Sequence, residues 1–218
     1  MAKLVDANTR VVFIANPNNP TGNWLSIVEI EKFLRQIPQN VIVVLDEAYH
    51  EYVDKPDYAS GLTILKQFPN LIVSRTFSKA YGLAGLRVGY CISNHEIADL
   101  LNRLREPFNV NSLALAAAEV VLDDADYLAR GLAVNREGMK QLETGLRDLG
   151  LPFVESAGNF VLVNFSRDAM PLYQEFLREG IILRPVGVYE LPTFLRVSVG
   201  LPNQNARFLE VCKKVLRK

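Results

Sequence analysis

Lys79 is the side chain with the widest chemistry open to it. It lies in the stretch from Ser74 to Tyr90, between small hydroxylated residues and a glycine-rich run that ends at Arg87. A lysine in this setting can react with a carbonyl. Small neighbours let the backbone approach, and burial beside a cation lowers an amine pKa towards neutrality. Thr76, Ser78 and Arg87 make a donor set that can hold a phosphate. A Ser-Lys pair ahead of Gly-x-x-Gly also occurs in ordinary loop-to-strand turns, so this stretch alone leaves both readings open.

The elements around Lys79 supply its context. Arg10 to Ala15 and Val41 to Leu45 are apolar runs that read as strands buried on both faces, as in a parallel sheet. Leu71 to Ser74 is a third such strand, and Leu86 to Ser93 a fourth. Between the first two, Ser26 opens a helix with Glu29 completing a capping box, and Pro38 stops it. A short helix is expected near Leu62 to Phe68, and Asn94 caps another that reaches about Arg105. Strand, helix, strand, helix, strand implies a mostly parallel α/β sheet with crossovers. Ligands of such sheets sit beyond the carboxyl ends of the strands, where Asn19, Asp46 and Lys79 each follow a different strand.

Ser112 to Leu122 reads as a buried Ala/Leu-rich helix, and Asp124 to Leu149 as a long one with Gly150 past its end. Phe160 to Phe165, Ile181 to Arg184 and Phe194 to Val199 read as strands. Helices are expected from Asp168 to Glu179 and from Pro202 onward. The pattern divides the chain into a sheet-bearing region (1–122), a connecting helix (123–149) and a smaller C-terminal α+β unit (150–218).

Composition narrows the function classes. The chain has 218 residues, 49% hydrophobic and 22% charged, enough for a packed core. Lys+Arg and Asp+Glu both total 24, so no nucleic-acid surface is indicated. No apolar run reaches the ~18 residues of a membrane span, and Asp6 and Arg10 interrupt any signal-like segment. A cytoplasmic location is expected. Cys91 and Cys212 match no metal or redox spacing, and His50 and His95 have no partners at metal or triad spacing, so no metal site is expected. Gly82 to Gly89 does not have the Gly-x-Gly-x-x-Gly spacing of a dinucleotide site.

Four motifs occur in order: Asn16-Pro-Asn-Asn-Pro-Thr-Gly22, Asp46-Glu-Ala-Tyr49, Thr76-Phe-Ser-Lys79 with Arg87, and Phe194-Leu-Arg-Val-Ser198. Together they resemble the fold-type I aminotransferases that use pyridoxal 5'-phosphate, most closely the histidinol-phosphate aminotransferase group. The resemblance implies that Lys79 is the Schiff-base lysine and later the proton carrier. It implies that Asp46 keeps the cofactor pyridine nitrogen protonated, making the ring an electron sink. Tyr49 and Asn19 would bond the cofactor phenolic oxygen, and Thr76, Ser78 and Arg87 its phosphate. Arg196 would grip the substrate carboxylate, and Arg184 would be the second substrate arginine. Glu47 is expected to be structural, and the Asn19–Pro20 bond cis.

The implied reaction is transamination between histidinol phosphate or imidazole acetol phosphate and glutamate or 2-oxoglutarate, in histidine biosynthesis. The motifs are shared with threonine-phosphate decarboxylases and aromatic aminotransferases, which stay as alternatives. Family members are homodimers, so dimerisation is implied. They also carry a glycine-rich phosphate-binding turn and a stacking aromatic ring ahead of the first motif, but only 15 residues precede Asn16. The chain is expected to correspond to the C-terminal part of such an enzyme. An inactive fragment that only associates with other chains is the remaining alternative.

Overall fold

The structure, a computed structural model, describes residues 1–216. It divides into two compact units. The first comprises Met1–Pro17 and Trp24–Leu128, the second Asn18–Asn23 and Ala129–Lys218.

The first unit is built on a four-stranded sheet ordered β1 (Val11–Ala15), β2 (Ile42–Asp46), β3 (Leu71–Thr76) and β4 (Gly89–Ile92). β1, β2 and β3 run parallel, and β4 pairs antiparallel with β3. The segment from Phe77 to Val88 contains only a 3-10 turn (Ala84–Leu86) and no crossover helix, and it turns back as a hairpin instead. Helix α1 (Ile27–Leu34) starts at Ser26, whose side chain accepts from the Glu29 amide while Glu29 reaches back to the Ser26 backbone. Its buried Ile30 and Leu34 pack with Ile14, Val43, Leu45, Leu71 and Val73 on one face of the sheet. The segment expected as one helix near Leu62 to Phe68 forms two 3-10 turns, Gly61–Thr63 and Leu65–Gln67.

Three burial expectations for this unit are corrected. The strand expected from Leu86 to Ser93 is β4, Gly89–Ile92, and its Gly89, Tyr90 and Cys91 are exposed. β1 is an edge strand, and only one of its faces is covered: Val11, Phe13 and Ala15 are exposed while Ile14 is buried. A continuous apolar run does not say which face finds a partner. Helix α3 (Ser112–Asp123) buries only Ala114 and Ala118, which pack with Phe77 and Val88. Leu113, Leu115, Val120 and Leu122 face outward, while Val121 packs partly against that cluster. Helix α2 (His95–Leu104), capped by Asn94, buries no residue fully.

Helix α4 (Ala125–Asp148) carries the chain into the second unit. It ends at Gly150, whose φ is +66°. The Leu151 amide returns to the Leu146 carbonyl (3.0 Å) and the Gly150 amide to Arg147 (2.9 Å), a left-handed helix stop that glycine adopts without strain. The second sheet is ordered β5 (Phe153–Val154), β6 (Phe160–Asn164), β8 (Phe194–Ser198) and β7 (Arg184–Pro185), all antiparallel. Helix α5 (Ala169–Arg178), capped by Asp168, and helix α6 (Pro202–Leu216) join α4 over one face. Val161, Val163, Leu195 and Val197 meet Leu142, Leu146, Leu172, Phe176, Phe208 and Val211 there.

β7 is shorter than the expected Ile181 to Arg184. Residues 181–183 serve to end α5, with the Ile181 amide closing on the Phe176 carbonyl, so pairing begins only at Arg184. Among the described residues no helix is long and apolar enough to cross a membrane.

Candidate active site

In the first unit the candidate groups gather at the carboxyl ends of β2 and β3. Asp46 is the last residue of β2 and lies level with Ser74. Its Oδ1 accepts from the Ala48 amide at 3.1 Å, which begins the turn after the strand. Tyr49 follows and is 5% exposed. The Nζ of Lys79 lies 5.4 Å from the Tyr49 ring centroid, within cation–π range. Lys79 itself is exposed rather than buried.

Thr76 ends β3, and its Oγ1 accepts from the Ser78 amide at 3.0 Å. The register pairs Thr76 with Gly89, and the Phe77 amide bonds the Val88 carbonyl (3.2 Å). Continuing that register sets half-buried Ser78 across the hairpin from Arg87. Two hydroxyls and a guanidinium therefore share one end of the hairpin. Arg87 is exposed, has φ +54°, and donates from Nη1 to the Ala84 carbonyl at 2.9 Å. The loop between them needs glycine at 82: φ is +72°, and a Cβ would stand 2.3 Å from the Tyr127 hydroxyl.

Beneath these groups lies a buried charge cluster that the motif pattern does not reveal. Successive strand residues face opposite ways, so Glu47 and Arg75 point away from Asp46 and Thr76. Glu47 is fully buried. It accepts from Arg75 Nη2 (2.8 Å) and Nε (3.1 Å), from Ser60 Oγ (2.8 Å) and from the Gly61 amide (2.7 Å). Burial pulls the Arg75 pKa down, but the Glu47 charge and hydrogen bond outweigh it, and the net direction is up. Burial, helped by Arg75, lowers the pKa of His50, whose Nδ1 lies 3.1 Å from the Tyr58 hydroxyl. Burial raises the pKa of Glu51, whose Oε1 is buried without a hydrogen-bond partner. A charged residue within β3, Arg75, was the one sequence signal for this cluster.

The second unit holds Asn19, Arg184 and Arg196. Asn19 Oδ1 accepts from Arg196 Nη1 at 2.6 Å. The Asn19–Pro20 bond is cis, and so is Asn16–Pro17, which the sequence reading did not anticipate. The Arg196 guanidinium lies 4.8 Å from the Phe160 ring centroid, and its Nε is buried without a hydrogen-bond partner. Arg184 pairs directly with Arg196 across β7 and β8. Like charges directly opposite repel, and an anion between them relieves that cost. Spacing could not predict this pairing, because register is set by tertiary structure. Among the described residues no group of three or more His, Cys, Asp or Glu could hold a metal.

Residues 1–211 match the family model described as aminotransferase class I and II. Histidinol-phosphate aminotransferase 2 of Pseudomonas fluorescens is 58% identical over 99% of this chain. The chain spans 58% of that relative's length. The crystal structure of histidinol-phosphate aminotransferase from Sinorhizobium meliloti in complex with pyridoxal-5'-phosphate superposes with a TM-score of 0.90 at 33% identity, covering 96% of this chain and 58% of that one. L-threonine-O-3-phosphate decarboxylase from Porphyromonas gingivalis superposes at 0.84 with 25% identity, covering 97% and 66%.

Proposed function

The chain belongs to the class I and II aminotransferase family, and on that premise we propose that it serves a pyridoxal-phosphate-dependent transamination. The amino group would pass between histidinol phosphate (or imidazole acetol phosphate) and glutamate (or 2-oxoglutarate), a step of histidine biosynthesis. The Arg184–Arg196 cross-strand pair carries the choice of substrate class. Two guanidiniums at one place on a sheet suit a substrate with an anion at each end, a carboxylate and a phosphate. The 58% identity to a protein named for that substrate supports the same choice.

The residues present fit the cofactor. Lys79 offers an exposed amine beside Tyr49, and Asp46 a carboxylate at a strand end. Thr76, Ser78 and Arg87 offer phosphate donors on one hairpin end. Pyridoxal phosphate, when bound, supplies an aldehyde and a protonated pyridine ring that draws electrons from the substrate α-carbon. Lys79 Nζ would hold the aldehyde carbon and, once displaced, carry the α-proton. The Asp46 carboxylate would accept from the ring nitrogen and keep it protonated. Tyr49 would donate to the phenolic oxygen. Arg196, already aimed by Asn19 and backed by Phe160, would hold the substrate carboxylate and Arg184 its phosphate.

The same reading makes the first unit the cofactor-binding part and the second the substrate-arginine part. It describes a cytoplasmic homodimer acting on small amino-acid substrates, without nucleic acid or membrane. The resemblance of the decarboxylase structure favours one second reading, a phosphate-handling lyase on the same cofactor.

Borohydride reduction of the chain mixed with pyridoxal phosphate, followed by peptide mapping, is expected to label Lys79, and Lys79→Ala to abolish the label. Label at another lysine, or none, sinks the cofactor assignment. Turnover of histidinol phosphate against threonine phosphate and phenylalanine separates the transaminase from the lyase and from an aromatic aminotransferase.

A further inference from the structure

The reading above uses groups on one face of β2 and β3 and leaves the buried pair on the other face without a part. We propose that Glu47 and Arg75 are positioning residues, which fix the Asp46 carboxylate and the Thr76 hydroxyl by clamping the ends of β2 and β3 from beneath. The inference rests on the cofactor reading only for what those two groups are positioned to do.

Sequence adjacency makes the coupling direct. Glu47 follows Asp46, and Arg75 precedes Thr76. The Glu47 amide closes the last rung between the strands on the Ser74 carbonyl at 2.9 Å. The β2–β3 pairing ends there, with Thr76 held on its other side by its pairing with Gly89 of β4, and the Glu47 and Arg75 side chains continue the link between β2 and β3. Glu47 collects four hydrogen bonds from three places: two from Arg75, one from Ser60 and one from the Gly61 amide. Arg75 Nη2 also donates to Ser60 Oγ at 2.8 Å, which closes a three-sided network. A fully buried carboxylate with four donors cannot shift without leaving a charge unpaired, so the backbone on either side of it is held. Gly61 closes the underside. A Cβ there would lie 2.6 Å from Leu45 Cδ2 and 3.6 Å from Glu47 Oε1.

The neighbours report on this clamp. The Ala48 amide donates to Asp46 Oδ1, and the Ser78 amide to Thr76 Oγ1. Each amide is protected only while its side-chain acceptor keeps its direction.

Amide hydrogen exchange on the whole chain tests the proposal without cofactor. Arg75→Met is expected to speed exchange of the Ala48 and Ser78 amides about tenfold by local opening, with Val43 and Val73 in the strand interiors unchanged. Arg75→Lys, which keeps the charge, is expected to restore most of the protection. Glu47→Gln keeps the shape and loses only the charge, and it serves if Arg75→Met does not fold; the same two amides should respond. Exchange that rises evenly across β1, β2 and β3 makes the pair a plain stability element and overturns the proposal. So does exchange that stays unchanged at Ala48 and Ser78. Borohydride capture at Lys79 in the unsubstituted chain is read separately. Its failure counts against the cofactor reading alone.

Discussion

On β1 of the first unit Phe13 is 73% exposed and Val11 45%, whereas on β6 of the second unit Phe160 and Leu162 are 2% and 1% exposed. Both segments read in the sequence as strands rich in apolar residues. The second unit owes its order to packing, with three helices over one sheet face and Phe176 fully buried between Phe165 and Phe208. In the first unit the inner face is apolar until the strand ends, where a buried ion pair takes over directly under the reactive groups. The contrast shows that apolar pattern marks what can be buried, and that the fold decides which of it is.

The largest expected effect lies in the second unit. Phe176→Ala removes a ring stacked on Phe208 and edge-on to Phe165, and should cost about 3–5 kcal/mol in denaturant unfolding. A loss below about 1 kcal/mol would mean that the helices do not close that face in solution. Gly61→Ala comes next, because its Cβ would press on Leu45 at 2.6 Å and on Val73 at 3.1 Å. Overpacking of that kind costs about 1–3 kcal/mol. An unchanged unfolding midpoint would show that the underside of the first sheet is loosely filled. Phe13→Ser is the smallest, within about 0.5 kcal/mol, since an exposed side chain loses little on truncation. If its cost approaches that of Phe176→Ala, the outer face of β1 is covered in solution and the contrast between the sheets disappears.

Much of the fold was legible because its signals are local. The Ser26 capping box, the Asn94 cap, the Asp168 helix start and the glycine stops after α4 and α5 each depend on a few adjacent residues. The misread features depend on partners far along the chain. Whether the leucines of α3 are buried, whether β4 runs antiparallel, and where β7 begins are not written in those segments. Of the candidate site, the lysine, the aspartate and the arginines were recognisable by motif. Arg75, Ser60 and Gly61 were not singled out, because their meaning lies in meeting one carboxylate from sequence distances of 28, 13 and 14 residues.

The sequence by itself determined the family, the order of the elements and which side chains carry the chemistry, because helix caps, turn glycines and motif spacing act over a few residues. Only the tertiary structure decided that Arg184 faces Arg196, that Asn19 holds Arg196, and that Glu47 and Arg75 meet beneath Asp46 and Thr76. Those facts are matters of strand register and of which face is covered. A shift of one residue in β3, β7 or β8 would turn Arg75, Arg184 or Arg196 to the other side of its sheet.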